Sequence, residues 1–270
     1  LKIQIPEISS VKPIYYTTFF RYVRRLFKDA GCEIELVNEN WDCHGNSFFI
    51  KVGSEKVVID YSDHSNRFVK KCKHIIFKLH YNTKLHGKHS HIKPFPPVSF
   101  YDWERFDELR KKIKYNKRGK KILCNQKPGG NAESRRWLVR KMLIDTFDGK
   151  WVDFSITPQD EYWLKVNDAL VHVFVPGARN DMIDRGHMQY MAFGCCCICP
   201  PITDELPGVK LESGVHYIPC KPDYSDLISV IRWCSKNRDE CLYAGRRCAK
   251  IFREHCMPKP VLDMVLKEIS

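Results

Sequence analysis

From Lys121 onward the chain alternates short apolar, strand-like runs with amphipathic, helix-like stretches, and this most narrows its folds. Lys121 to Cys124 reads as a strand, Ala132 to Phe147 as a helix and Trp151 to Ile156 as a strand. Ala169 to Val175 follows as a strand, apolar throughout except for His172. Asp184 to Phe193 then reads as a helix, Cys195 to Cys199 and His216 to Pro219 as strands, and Ser225 to Lys236 as a helix. Strand and helix in turn, joined by short connections, predict an α/β domain around a parallel sheet.

The first 115 residues alternate less regularly. Tyr15 to Asp29 has helical spacing and is followed by Gly31, a stop signal. Glu33 to Val37, Ser47 to Val52, Lys56 to Asp60 and Lys73 to Leu79 read as strands, with a tight turn at Gly53-Ser54-Glu55. His80 to Val98 is expected to be a loop and Tyr101 to Ile113 a helix. The basic stretch Lys111 to Lys121 marks the boundary between domains. A length of 270 residues fits two domains. The expected division is an N-terminal acceptor-side Rossmann-like domain over 1–115, a C-terminal nucleotide-sugar-binding Rossmann-like domain over 116–255, and a C-terminal helix over 256–270 returning to the first domain. No dinucleotide glycine fingerprint, internal repeat or low-complexity tract is present.

Charge narrows the ligand. Lys and Arg exceed Asp and Glu by 45 − 32 = 13, and the excess predicts an anionic partner. No apolar run is long enough to span a membrane, and Leu1 to Pro6 lack the apolar core of a secretory signal. Thirteen cysteines is an odd number. The run Cys195-Cys196-Cys197-Ile198-Cys199 suits buried strand packing better than a disulfide framework, which favours a reducing, cytoplasmic compartment.

Three segments are candidates for chemistry. In Gln126-Lys127-Pro128-Gly129-Gly130 a strand hands over to a helix. Glycines there admit an anion to backbone N–H groups, with Lys127 or Arg135 as the neutralising cation. An ordinary Pro-Gly-Gly turn is the competing reading, and no Gly-Lys-Ser/Thr follows to make a P-loop. Arg179 to His187 lies between a strand and a helix, with Arg185 placed to meet a phosphate; Met191, Ala192 and Gly194 read as tight packing on the sheet. Val57 to Ser65 ends a strand with Asp60, Asp63 and His64; a carboxylate there is placed to accept a hydroxyl proton, with loop capping as its competing role. The histidines His80, His86, His89 and His91 match no zinc template, and neither do the clustered cysteines. No metal or cofactor is expected.

The stretch Gly214-Val215-His216-Tyr217-Ile218-Pro219-Cys220-Lys221-Pro222-Asp223-Tyr224-Ser225-Asp226-Leu227 resembles glycosyltransferase family 90, the capsule-associated xylosyltransferase and protein O-glucosyltransferase group. The Ala-Arg-rich segment Cys241 to His255 extends the likeness, which runs from about Asp184 to His255 and thins upstream. The resemblance implies a GT-B architecture of two Rossmann-like domains facing a cleft, and inverting, metal-independent transfer from a UDP-sugar. It places the catalytic base at Asp63; Asp60 and His64, from the same segment, are the acceptor-side candidates. The family's Gly-Ser-Arg loop falls on Asn125-Gln126-Lys127, and its Ser-x-Arg segment near Arg185. Lys127, Arg135 and Arg185 are the expected diphosphate ligands, and Thr157, Val175 and Pro176 the expected nucleoside contacts. The compact N-terminal half points to a viral or microbial member of the chlorovirus xylosyltransferase type, acting in host cytoplasm with UDP-xylose and a glycan acceptor. A UDP-glucose-dependent glucosyltransferase or a non-catalytic lectin-like relative shares the fold. A nucleic-acid-binding protein is the alternative that the basic excess allows, although no recognised RNA or DNA motif accompanies it.

Overall fold

A computed structural model describes residues 1–7, 15–38, 42–43, 47–62, 72–97, 103–112, 118–147 and 149–270. In chain order these form β1 (Lys2–Pro6), α1 (Tyr15–Asp29), β2 (Glu33–Val37), β3 (Asp42–Cys43), β4 (Ser47–Val52), β5 (Glu55–Asp60), β6 (Ile76–Lys78), α2 (Thr83–His86) and β7 (Ile92–Pro94). There follow α3 (Trp103–Lys111), β8 (Ile122–Leu123), α4 (Glu133–Thr146), β9 (Val152–Asp153), α5 (Gln159–Asp168), β10 (Val171–Val173), α6 (Arg185–Ala192) and β11 (Cys196–Cys199). The chain ends with β12 (Glu205–Leu206), β13 (Val209–Lys210), β14 (Ile218–Pro219), α7 (Leu227–Lys236), α8 (Arg238–His255) and α9 (Pro258–Ile269). The protein is of the α/β class, and the chain divides into two compact units.

The first unit comprises Leu1–Glu104, Asp204–Lys210 and Arg253–Ser270. Its sheet has the order β2-β1-β4-β5-β6-β7, with β3 paired to β4. The sheet is mixed rather than parallel throughout: β4 runs antiparallel to β1, β3 and β5, while β1–β2, β5–β6 and β6–β7 are parallel. The reversal comes from the tight turn after Val52, where Val52 pairs with Glu55 and Gly53 takes a positive φ of 61°. Such two-residue hairpin turns need that conformation, which glycine adopts without a Cβ penalty. Ile3, Ile5, Phe48, Ile50, Val57 and Ile59 are buried in this sheet. Helix α9 packs on α1, and the β12–β13 hairpin turns at Pro207-Gly208.

The His-rich segment 80–97 is more ordered than expected. Asn82 caps α2, accepting from the Lys84 amide, and β7 adds a parallel edge strand. His86 is buried with its Nδ1 accepting from the Asn82 amide, and His80 Nδ1 pairs with the buried Asp204 carboxylate at 3.1 Å. Two of the four histidines therefore serve the fold.

The second unit comprises Arg105–Thr203 and Leu211–Phe252. Its five strands are all parallel, in the order β14-β11-β10-β8-β9. Counted from β8, this is the doubly wound 2-1-3-4-5 order, which reverses between β8 and β10. Val139 and Leu143 of α4, Ile231 and Cys234 of α7, and Cys241 and Leu242 of α8 pack with the sheet in one core. A second cluster joins Phe106, Trp163, Phe193 and Phe252 edge to face. Beside it the buried Arg118 donates to the carbonyls of Val166, Asn167, Ala169 and Phe193. Gly245 of α8 faces the Gly194 carbonyl so closely that a Cβ there would lie 2.1 Å from it. Among the described residues there is no disulfide; eleven free cysteines are buried and Cys72 is half-buried. No helix among them is long and apolar enough to cross a membrane.

Candidate functional site

In an open parallel sheet, loops leaving neighbouring strands in opposite directions part at the switch point and leave a crevice. In the second unit, the loops at that point are 124–132 after β8 and 174–184 after β10. The first carries Lys127, exposed, and bends through Gly130 at φ 58° into α4. No side chain caps α4; a 3-10 turn over Gly130–Ala132 leads into it, and the Glu133 amide at its first position already donates to the Gly130 carbonyl.

Side chains from both sides knit the two loops together. Gln126 Oε1 accepts from the Val175 amide at 2.6 Å. Arg136 donates to the Val175 carbonyl through Nε and Nη2, both at 3.3 Å, and to the Lys127 carbonyl through Nη1 at 3.0 Å. Arg135 donates to the carbonyls of Pro176 and Gly177 at 3.2 and 2.5 Å. Below them His172 Nε2 meets Asn125 Oδ1 at 3.0 Å, and its ring stacks on Tyr190 with centroids 3.7 Å apart. Burial holds His172 well below the usual histidine range, so the ring is neutral at pH 7.

The loop after β10 is tied to the turn between β14 and α7. Asn180 Oδ1 accepts from the Tyr224 hydroxyl at 2.7 Å, and its amide donates to the Pro222 carbonyl at 2.6 Å. Tyr224 is buried with φ at 61°, a conformation non-glycine residues rarely hold. Around it, Asp223 Oδ1 accepts from the Ser225 amide and hydroxyl, and Asp226 Oδ1 accepts from the Lys221 amide. The polar residues of Lys221 to Asp226 thus build the turn between β14 and α7.

The sequence-predicted residues divide accordingly. Lys127, Arg135, Val175 and Pro176 meet at the switch point. The Val175 amide and carbonyl and the Pro176 carbonyl are already bonded within the protein, and both residues are buried. Arg185 is exposed at the first position of α6. The anion position at that helix end is taken by Asp184, whose Oδ1 accepts from the Gly186 amide at 2.7 Å. Thr157 precedes α5, with a buried Oγ1 that has no hydrogen-bond partner. Asp60, in the first unit, is buried: its carboxylate accepts from Lys78 Nζ at 3.2 Å and from the Ser62 amide at 2.9 Å. Lys78 also donates to Ser62 Oγ at 2.8 Å and is wholly inaccessible to solvent. Asp63 and His64 lie outside the described residues.

Sequence reasoning missed Arg136 and Lys78, and it gave Gln126 no role of its own within the loop it identified. Nothing in the local pattern separates Arg136 from Arg135. Lys78 alternates with apolar neighbours in Ile75-Ile76-Phe77-Lys78-Leu79, and an isolated lysine in such a run is the available signal for a buried charge with a partner.

No protein-family model matches the chain. Part of it is similar to two viral proteins. The uncharacterized protein 179R of Invertebrate iridescent virus 6 is 32% identical over 81 residues, covering 27% of this chain and 7% of that protein. The uncharacterized protein 035R of Invertebrate iridescent virus 3 is 36% identical over 71 residues, covering 24% of this chain and 6% of that protein. The matched region is therefore a small fraction of each relative's length.

Proposed function

We propose that this chain is an inverting glycosyltransferase of GT-B type that moves a sugar, xylose, from a UDP-sugar to a hydroxyl of a glycan. The observation that carries the reading is the parallel sheet of the second unit. Its switch point joins a glycine-bent loop bearing Lys127, an uncapped α4 and the arginine-tethered segment after β10. That is where open α/β sheets take nucleotides, and the basic excess suits a diphosphate.

On this reading transfer is a single displacement. Asp63, assigned by family resemblance, takes the acceptor hydroxyl proton as oxygen attacks the anomeric carbon opposite UDP. The diphosphate leaves with added negative charge, which Lys127, Arg185 and the positive end of the α4 dipole stabilise without a metal. Losing one preorganised charged donor costs about 3 kcal/mol, roughly a hundredfold in rate. Arg135 and Arg136 hold the loops in shape.

The first test is thermal shift with UDP, UDP-xylose, UDP-glucose and GDP-sugars, because a ligand that binds only the folded state raises its melting temperature. UDP-xylose is expected to give the largest shift. The variant Asp63→Asn should keep that shift and lose transfer, and transfer by the wild type should persist in EDTA. No shift with any uridine nucleotide would refute the reading; normal turnover by Asp63→Asn would remove the base.

A further inference from the structure

Helix α6 lies against β11, and there the core holds a cluster that packing alone does not account for. Cys197 and Cys199 are two apart on β11 and so project to the same face. His187 comes from α6, and one of its ring nitrogens and the two sulfurs all lie within 4.8 Å of one another. All three residues are buried, with His187 only 2% exposed. Neither ring nitrogen of His187 has a hydrogen-bond partner. The other buried histidines are paired: His80 with Asp204, His86 with the Asn82 amide, His172 with Asn125. An imidazole buried with both nitrogens unmet is unfavourable, and such a group calls for a physical reason.

We propose that His187, Cys197 and Cys199 bind a thiophilic d10 metal ion, zinc(II) or copper(I), through one imidazole nitrogen and two thiolates. The donor set is the soft nitrogen-and-sulfur combination that these ions prefer and that magnesium, calcium and manganese do not. A neutral imidazole carries one lone pair, and no hydrogen bond within the protein occupies it here. Each thiol gives up one proton on binding and the imidazole none. With zinc, the two thiolate charges cancel the ion's, so no net charge is buried; copper(I) is suited instead by the three-donor count. Phe174 fixes the imidazole from the side, edge to face at 3.9 Å between centroids. The ion would clip α6 to β11 and so hold the helix that carries Arg185. It has no part in the transfer step and does not depend on the proposed activity. The cysteine spacing alone missed it because the third donor comes from the preceding helix.

The test uses the full chain purified under reducing conditions. Metal content is measured first, and chelator-stripped protein is then titrated with zinc(II), with cobalt(II) as a coloured substitute, and with copper(I) against a chromophoric chelator. One ion per chain, a thiolate-to-cobalt charge-transfer band and a raised melting temperature are expected. Cys197→Ser, Cys199→Ser and His187→Gln should each lose or alter the band, while Cys72→Ser leaves it unchanged. Should those variants fail to fold, X-ray absorption on metal-loaded wild type decides: two sulfurs and one nitrogen support the site, and a shell of oxygen and nitrogen alone overturns it. Failure of folded protein to take up any of the three ions also overturns it.

Discussion

Gly245 sets two effects of opposite sign against each other. Within α8, replacing glycine by alanine gains about 1 kcal/mol of helix propensity. The added Cβ, however, would stand 2.1 Å from the Gly194 carbonyl oxygen, 2.9 Å from its carbon and 3.2 Å from the Cys196 amide nitrogen. Those are main-chain atoms entering β11, so no side-chain rotation relieves the clash. The helix must retreat by more than 1 Å, lifting Cys241, Ala244 and Cys248 from the core. Overpacking typically costs about 1–3 kcal/mol and sometimes more, and a backbone contact this short belongs at or above the top of that range. The expected net loss for Gly245→Ala is at least about 2 kcal/mol. In a unit of this size that lowers the melting temperature by roughly 4–8 °C. Urea and thermal unfolding followed by circular dichroism measure both quantities. A variant as stable as wild type, or more so, would show that α8 does not approach Gly194 as described.

Breaking the buried pair in the first unit by Lys78→Met should cost about 3–5 kcal/mol, because it strands the Asp60 carboxylate without its counter-charge. Adding Asp60→Leu should restore part of that loss in urea denaturation, and a second loss of equal size would refute the pairing. Because burial depresses the His172 pKa, the unfolded chain binds a proton below pH 6.5 that the folded chain refuses. This contribution to stability is therefore complete above pH 6.5 and falls by up to about 1.4 kcal/mol per unit as the pH drops below it. Unfolding titrations with chelator present should show a shallower pH dependence for His172→Phe than for wild type, and identical slopes would refute the assignment.

The parallel sheet was legible because its strands are covered on both faces. Val171 to Val175 and Cys195 to Cys199 are apolar almost without interruption, a pattern with few other uses in a globular chain. The mixed sheet of the first unit was harder. In Lys2-Ile3-Gln4-Ile5-Pro6 only two side chains alternate inward before the proline, which is too short a pattern to declare a strand, yet β1 joins β2 to β4. Helix α5 was missed because Gln159 to Asp168 is mostly polar and buries only Trp163 and Val166. In the His-rich segment the ordering comes from Asn82 capping α2 and from pairing of β7 with β6, and the histidine pattern signals neither.

The same division runs through the candidate site. A strand that meets glycines and then a helix can be read locally, so the loop bearing Lys127 could be placed between β8 and α4; which cation does what depends on the distance between loops. Arg135 and Arg136 are neighbours on α4 with the same formal chemistry, yet both spend donors on main-chain carbonyls of Val175 to Gly177, and Arg136 also reaches Lys127. A guanidinium has five donors in a fixed fork, so it can bridge several carbonyls at once, whereas a lysine ammonium acts as a mobile point charge. On the proposed reading the arginines therefore spend their donors keeping two loops at a fixed separation, and Lys127 supplies charge to a leaving diphosphate. Preorganisation of that kind matters most in the transition state, because donors already in place need not reorganise as charge develops. It follows that Arg136→Lys, which keeps the charge but gives up the fork, should harm transfer more than a count of positive charges would suggest.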